Sequence, residues 1–234
     1  MNVKKEEKVN VSIIMSCFNS ENTVGFAIES ILNQTIEDFE FLIFDDGSTD
    51  NTKDIIKGYK DSRIIFFHSN DNEGLTKRLA FLAKESRGEF LARQDDDDYS
   101  LPSRLETQIN FLKKNKKYSA CTTASFLKNS FSVRPRYSKY LPKKLAILIK
   151  NPFIHGAFVI RLKDFIEVGG YNTDYKYSQD YKLYLDLYKK NKKIKFMFNP
   201  MYVLNSNGRI SSENKLSQNS YKKLALRSYL GFNS

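Results

Sequence analysis

Phe39-Glu40-Phe41-Leu42-Ile43-Phe44-Asp45-Asp46-Gly47-Ser48-Thr49-Asp50 is an apolar run that stops abruptly in an acidic, glycine-containing turn. A helical spacing of apolar residues resumes directly after it, from Thr52 to Tyr59. That is the signature of strand, loop and helix in succession. The same pattern lies on either side. Val9 to Cys17 reads as a buried strand, followed by a polar turn at Phe18 to Asn22 and a helix over Thr23 to Gln34, with Val24, Ala27, Ile28, Ile31 and Leu32 inward and Asn22 as cap. Downstream, Arg63 to His68 is a third strand and Leu75 to Ser86 a helix. Glu89 to Arg93 is a fourth strand, running into Gln94-Asp95-Asp96-Asp97-Asp98-Tyr99. Strands alternating with helices predict an α/β fold with a Rossmann-like, mostly parallel central sheet flanked by helices. Ligands of such sheets bind outside the carboxyl ends of the strands, where both acidic turns fall.

Four consecutive carboxylates repel one another, and they are tolerable where a cation or a hydrogen-bonding ligand neutralises them. An acidic turn ahead of a helix opening at Pro102 is the alternative. The spacing lacks the glycine an EF-hand loop needs at its sixth position. Asp45-Asp46-Gly47-Ser48 suits either a helix-capping turn or nucleotide recognition, in which a carboxylate accepts hydrogen bonds from a base or ribose and glycine permits close approach. No GxGxxG or GxxxxGK[ST] segment is present, which disfavours dinucleotide and P-loop chemistry. A divalent metal held by Asp97 would neutralise phosphate instead, because hard cations bridge carboxylate and phosphate oxygens.

The order is less regular beyond Arg104 to Lys117, a helix. Tyr118 to Phe126 reads as a strand, Phe131 to Tyr140 as basic loop, Lys143 to Lys150 as a short amphipathic helix and Phe153 to Arg161 as a strand. Leu162 to Val168 and Ser178 to Lys190 read as helices and Ile194 to Leu204 as the last strand; a polar tail from Asn205 carries a weak amphipathic segment at Tyr221 to Leu230. We divide the chain into 1–112, 113–204 and 205–234, the last a basic tail.

The 234 residues carry a net charge of +11 and 41% apolar content, enough for a sizeable core. The charge is divided unevenly: residues 1–112 sum to −8 and residues 113–234 to +19. The acidic half suits metal coordination; the basic half suits an anionic partner such as phosphate, a lipid headgroup, nucleic acid or an acidic polymer. With no run of about 18 apolar residues and a charged amino terminus, neither a spanning helix nor a secretory signal is expected, and a cytoplasmic location is. Cys17 and Cys121 are expected to be free thiols.

The chain resembles the family 2 glycosyltransferases of GT-A fold, of the bacterial surface-polysaccharide type. The resemblance runs from Val9 to about Leu187 through Val11 to Asn19, Ser30 to Thr35, Phe44 to Asp50, Asn72 to Leu75, Gly88 to Asp98 and Pro102 to Leu105. It implies that Asp95 and Asp97 form the family's DxD element, Asp97 binding Mn2+ or Mg2+ against the donor diphosphate and Asp95 lying near ribose or metal. Ser16, Phe18, Asn19, Glu21, Asp45, Asp46, Arg93 and Asp96 complete the expected nucleotide-sugar pocket, so the resemblance implies a nucleotide-sugar-binding half in 1–112 and an acceptor-binding and catalytic half in 113–204. The stretch Gly169-Gly170-Tyr171 to Tyr181 matches the family's turn before an acidic pair, which makes Asp180 the expected base for the acceptor hydroxyl, with Asp174 as runner-up.

Three departures stand out. Gln179 replaces the usual Glu of the pair, Ser16 a common proline, and Asn205 stands where relatives often carry a histidine that reaches the metal. His155 and Gln179 are expected toward the acceptor, and Arg93 and Arg209 are candidates for diphosphate charge. The resemblance implies transfer of a sugar, with inversion, from a UDP-sugar to a hydroxyl of a surface glycan or lipid-linked acceptor, at the inner face of the cell membrane in peripheral contact with anionic lipid. No nucleic-acid partner is expected. The alternatives are a basic nucleic-acid-binding module and an inactive glycosyltransferase-like partner subunit.

Overall fold

The structure is a computed structural model, and it describes residues 9–128, 130–135, 147–148, 151–205 and 214–231. Strand β1 (Val11–Cys17) pairs in parallel with β2 (Phe39–Asp46) and with β4 (Phe90–Arg93), and β2 pairs in parallel with β3 (Ile64–Ser69). Helices α1 (Val24–Leu32), α2 (Thr52–Gly58) and α3 (Leu75–Glu85) make the crossovers. β1 and β2 are buried along their whole length, as strands covered on both faces must be. Register places Cys17 opposite Asp45, so the two strands end level and deliver the first two loops side by side.

Beyond β4 the sheet becomes mixed. After the two-residue β5 (Tyr99–Ser100) and α4 (Arg104–Lys114) come β6 (Ala120–Leu127), β7 (Ser130–Arg134) and β8 (Val159–Arg161). They are followed by α5 (Leu162–Glu167), α6 (Gln179–Lys189), β9 (Ile194–Leu204) and α7 (Lys215–Leu230). The order across the sheet is β3-β2-β1-β4-β8-β6-β9-β5, with β7 paired to β6. β8 runs antiparallel to both β4 and β6, β9 parallel to β6, and β5 antiparallel to β9. β9 shifts register where Ala124 faces Pro200, a residue with no amide to give to the ladder.

Two hydrophobic clusters pack the two faces of this sheet. One holds Ile13, Met15, Ile28, Ile31, Phe41 and Ile109; the other holds Ile14, Leu42, Leu79, Phe158, Tyr184 and Leu187. Three differences from the sequence expectation have local causes. Residues 130–134, read as loop, form β7, because antiparallel pairing to Ser125 and Phe126 outweighs the basic composition. The predicted strand from Phe153 is regular only over Val159–Arg161. The expected tail contains a 16-residue helix, α7, whose Ala225 is fully buried. The helix expected over Lys143 to Lys150 falls mostly outside the described residues, as does Arg209.

Candidate active site

The first two loops at the carboxyl edge of the sheet are laced to one another. The Asn19 amide donates to Ser48 Oγ at 2.9 Å, and Asn19 Oδ1 accepts from the Thr49 amide at 2.9 Å. The Ser20 amide donates to Thr52 Oγ1 at 2.7 Å, the Glu21 amide to Asp50, and Glu21 Oε2 accepts from both Asn51 nitrogens. Asn19 sits at φ 51°, a left-handed conformation that Asn tolerates. Asn19 and Glu21 therefore spend their polar groups on holding the loops in register, and Phe18, 47% exposed, is left at the surface of the cleft. Ser16 and Asp45 are buried at the strand ends, Asp45 accepting from the Ser48 amide.

Asp46 is fully engaged. Its oxygens accept from the amides of Glu73 and Gly74 at 3.0 and 2.8 Å and from Arg78 Nε at 2.5 Å. Arg78 also reaches Glu73 at 2.6 Å and lies 4.3 Å over the Phe44 ring. This carboxylate braces the loop before α3. Gly47, at φ 79°, makes the turn possible, since a Cβ there would lie 2.9 Å from the Asp71 carbonyl carbon. Sequence reading missed Arg78, although its place on the inward stripe with Leu75, Leu79 and Leu82 was a usable signal.

The aspartates after β4 take different partners. Asp95 pairs with buried Arg93 at 2.6 Å, and its amide donates to Tyr202 Oη at 3.2 Å. Asp96 accepts from Ser20 Oγ and from the Phe18 amide, tying this turn to the first loop, and burial pushes its carboxyl to about 6. Asp98 is buried and accepts the Asn205 amide at 2.7 Å; burial, then the charges of Asp95 and Asp97, push its carboxyl well above the usual range. Gly156 closes against this turn, where a Cβ would meet Tyr202 Oη and lie 2.7 Å from Asp95 Oδ2. Beneath lies Arg104, fully buried, donating to the Arg93 and Gly156 carbonyls, with burial lowering it to about 10.

Across the cleft, His155 Nε2 meets Tyr171 Oη at 2.9 Å among the rings of Tyr171 and Tyr184. Burial, with Arg93 nearby, holds the imidazole well below its ordinary value and therefore neutral. Asp180, in the first turn of α6, accepts from Asn151 Nδ2 at 2.7 Å. Burial raises its carboxyl, the nearby Asp95 charge adds to the rise, and Lys222 and the helix amides oppose it. Tyr184, one turn along, is fully buried with an unpartnered hydroxyl that feels Asp180, Tyr171 and Asp95. Gln179 is buried beside it. Arg93, Asp95, His155 and Asp180 thus form one electrostatic neighbourhood, whereas Asp174 is exposed on the turn before α6.

Among the described residues no three His, Cys, Asp or Glu side chains converge as a metal cage. The donor set still fits a hard divalent cation. Mg2+ and Mn2+ in phosphate sites use one or two protein carboxylates and complete their shell with phosphate and water. Burial first, and neighbouring carboxylates second, raise Asp96 and Asp98, and a cation would offset the second of these causes. Asp95 is engaged by Arg93, and Asp97 stands two residues on in the same turn.

A sheet that presents acidic loops at one edge, with a strand-end aspartate turn facing a helix-borne carboxylate, is the layout of a GT-A glycosyltransferase. The sequence profile of Glycosyl transferase family 2 matches residues 12–170. The chain is 35% identical over 167 residues to the putative glycosyltransferase EpsE of Bacillus subtilis, covering 70% of this chain and 60% of that one. It is 31% identical over 180 residues to WfaP of Escherichia coli, a UDP-Glc:alpha-D-GlcNAc-diphosphoundecaprenol beta-1,3-glucosyltransferase, covering 77% and 70%. Staphylococcus aureus TarS 1-349 in complex with UDP superposes with a TM-score of 0.74 at 19% identity, over 94% of this chain and 66% of that one. A mannosyltransferase of Pyrobaculum calidifontis, in complex with GDP-Man and Mn2+, gives 0.73 at 13% identity, over 98% and 66%. The chain belongs to glycosyl transferase family 2. It spans 60% of the length of EpsE and 43% of the longer TarS chain.

Proposed function

We propose that the protein moves a sugar, with inversion, from a UDP-sugar to a hydroxyl of a lipid-linked or surface-glycan acceptor, with Asp180 as base. The observation that carries this reading is geometric: Asn151 holds the Asp180 carboxylate at 2.7 Å, and the segment that follows Asn151 closes on the aspartate turn, where a Cβ at Gly156 would lie 2.7 Å from Asp95 Oδ2. The E. coli relative's UDP-glucose donor and diphosphoundecaprenol-linked acceptor support the substrate class. Asp180 lies beyond the family-matched residues, so its role rests on this geometry.

The donor's nucleoside would sit between the two laced loops, against Phe18 and Asp45, and its diphosphate over the aspartate turn. Asp97, with Asp95 beside it, would hold Mn2+ or Mg2+, which supplies Lewis-acid stabilisation of the departing diphosphate when bound. Arg93 keeps Asp95 oriented and adds buried positive charge at that end. On the acceptor side Asn151 orients the Asp180 carboxylate. Raised basicity there favours taking the hydroxyl proton as the oxygen attacks. Neutral His155, fixed on Tyr171, offers a polar but uncharged wall to the acceptor.

Among the described residues no helix is long and apolar enough to cross a membrane. The +19 charge of residues 113–234 supports peripheral contact with an anionic inner leaflet.

Thermal shift with UDP-glucose or UDP-GlcNAc, with and without manganese, tests donor binding. Asp97→Asn should abolish the manganese-dependent part of the shift. Asp180→Asn should keep the shift and lose about 10²–10⁴ in kcat. Full transfer by either variant would defeat its assignment.

A further inference from the structure

Helix α7 lies wholly outside the family-matched residues, yet it docks on the turn that carries Asp180. Ser178, immediately before α6, stands at φ 59° and ψ 28°, a left-handed conformation, and its hydroxyl caps nothing in its own helix. It donates instead to the Gln218 carbonyl of α7 at 3.1 Å. Tyr177 Oη donates to Asn214 Oδ1 at 3.3 Å, and the Tyr221 ring packs against both Tyr175 and Tyr177, with centroids 6.0 and 5.9 Å away. Farther along, Ala225 is buried against the same side, and Lys189 of α6 reaches the Ser228 carbonyl at 3.4 Å. Tyr177 and Ser178 by side-chain bonds, and Asp180 by charge, therefore answer to one helix.

We propose that α7 is a positioning element for the acceptor base, clamping the Tyr175–Ser178 turn through Gln218 and Tyr221. The inference rests on the reading of Asp180 as base.

The physical case is one of restraint. A left-handed serine costs conformational energy that surrounding contacts must offset, and the first turn of α6 has no capping side chain of its own to fix its direction. Without α7 the turn would be free to relax and Asp180 would lose its aim. The groups that face Asp180 are Asn151 from the loop before β8, Asp95 from the aspartate turn, Tyr171 and Tyr184 from either side of the α6 start, and Lys222. Lys222 is the cation among them, and it makes no ion pair with the described residues. Its charge opposes the rise that burial imposes on the Asp180 carboxyl.

The test is steady-state transfer by the full chain from UDP-glucose to a GlcNAc-diphospholipid, with UDP-GlcNAc as a second donor probe. Tyr221→Ala, Lys222→Met and Ser178→Gly should each lower kcat about tenfold. Donor KM and the manganese-dependent thermal shift should stay unchanged, because the donor loops lie on other elements. Tyr221→Phe, which keeps the ring, and Lys222→Arg, which keeps the charge, should return kcat to within about twofold. Ser178→Gly favours the left-handed backbone while removing the hydroxyl, so it separates the clamp from folding. A parallel rise in donor KM, or a kcat unchanged in all three folded variants, would overturn the inference. Asp180→Asn run alongside keeps the two failures apart. If it turns over at the wild-type rate, the base reading falls and the inference with it; if it is inactive while the α7 variants are normal, the inference alone falls.

Discussion

The two walls of the cleft are built on opposite principles. On the donor wall polar groups are spent on each other: the loop after β1 and the loop after β2 share a ladder of hydrogen bonds, and Asp46 has every oxygen accounted for by Arg78 and two amides. On the opposite wall, groups sit among aromatic rings, and their proton affinities are displaced. Tyr184 has a buried, unbonded hydroxyl, His155 is kept neutral, and Asp180 has one side-chain donor. Saturated networks rigidify and hold a shape. Undersatisfied, desolvated groups instead have displaced proton affinities, the property acid and base catalysts need. On the proposed function, this difference would assign donor binding and proton transfer to different halves of one sheet, the parallel half and the mixed half.

The sharpest way to break this comparison is to unpair the donor wall. Arg78→Met leaves the Asp46 carboxylate, 3% exposed, with amide donors alone. Breaking a buried pair from one side costs about 3 kcal/mol, read as a lowered urea midpoint at unchanged slope. Nucleotide-sugar affinity should fall with it. A loss under about 1 kcal/mol would show that the donor wall is not held by this pair.

A second measurement sharpens the acceptor side. His155 is neutral in the fold but accepts a proton in the unfolded chain near its ordinary value of 6.5. The unfolded state then binds more protons below that pH, so stability falls as pH falls through about 6.5. The His155 contribution has a limiting slope of about 1.4 kcal/mol per pH unit. His155→Gln should lose that part of the slope between pH 6.5 and 5 while other carboxyls contribute equally to both proteins. Identical urea midpoints for the two proteins across that range would mean the imidazole is not held neutral. The smallest effect belongs to Ser48→Ala, which removes one rung of the loop ladder. About 0.5 kcal/mol of stability and a modest rise in donor KM are expected by calorimetry and kinetics. A change in kcat alone would contradict the division between the walls.

How far the sequence foretold this depends on which interactions decide each element. The strands and helices from Val11 to Glu85 were legible because their periodicity is local and their turns carry Asp, Gly and Asn. β7 was not legible, since its partner strand rather than its composition makes it a strand. α7 reads weakly because only one face of it is covered, by residues far away in the chain such as Tyr175 and Tyr177. Of the residues expected at the site, Asn19 and Glu21 lie on a loop bonded to the turn after β2, and the aspartate turn is tied to the first loop through Asp96, but their individual employment was hidden. That Asp46 belongs to Arg78, and Asp95 to Arg93, depends on side-chain directions that spacing does not encode. Arg104 is a similar case: a charge at the head of a helix suggests solvent, yet it lies fully buried under the aspartate turn.

The close approach at Gly156 constrains the history open to this protein as well as its present shape. Every other amino acid brings at least a Cβ, and that atom would run into Tyr202 and the Asp95 carboxylate. A lineage could leave glycine there only after Tyr202 had first been exchanged for something smaller, which would itself release the Asp95 amide. The two positions are thus bound by contingency: the order of changes matters, and drift at either one alone leads downhill.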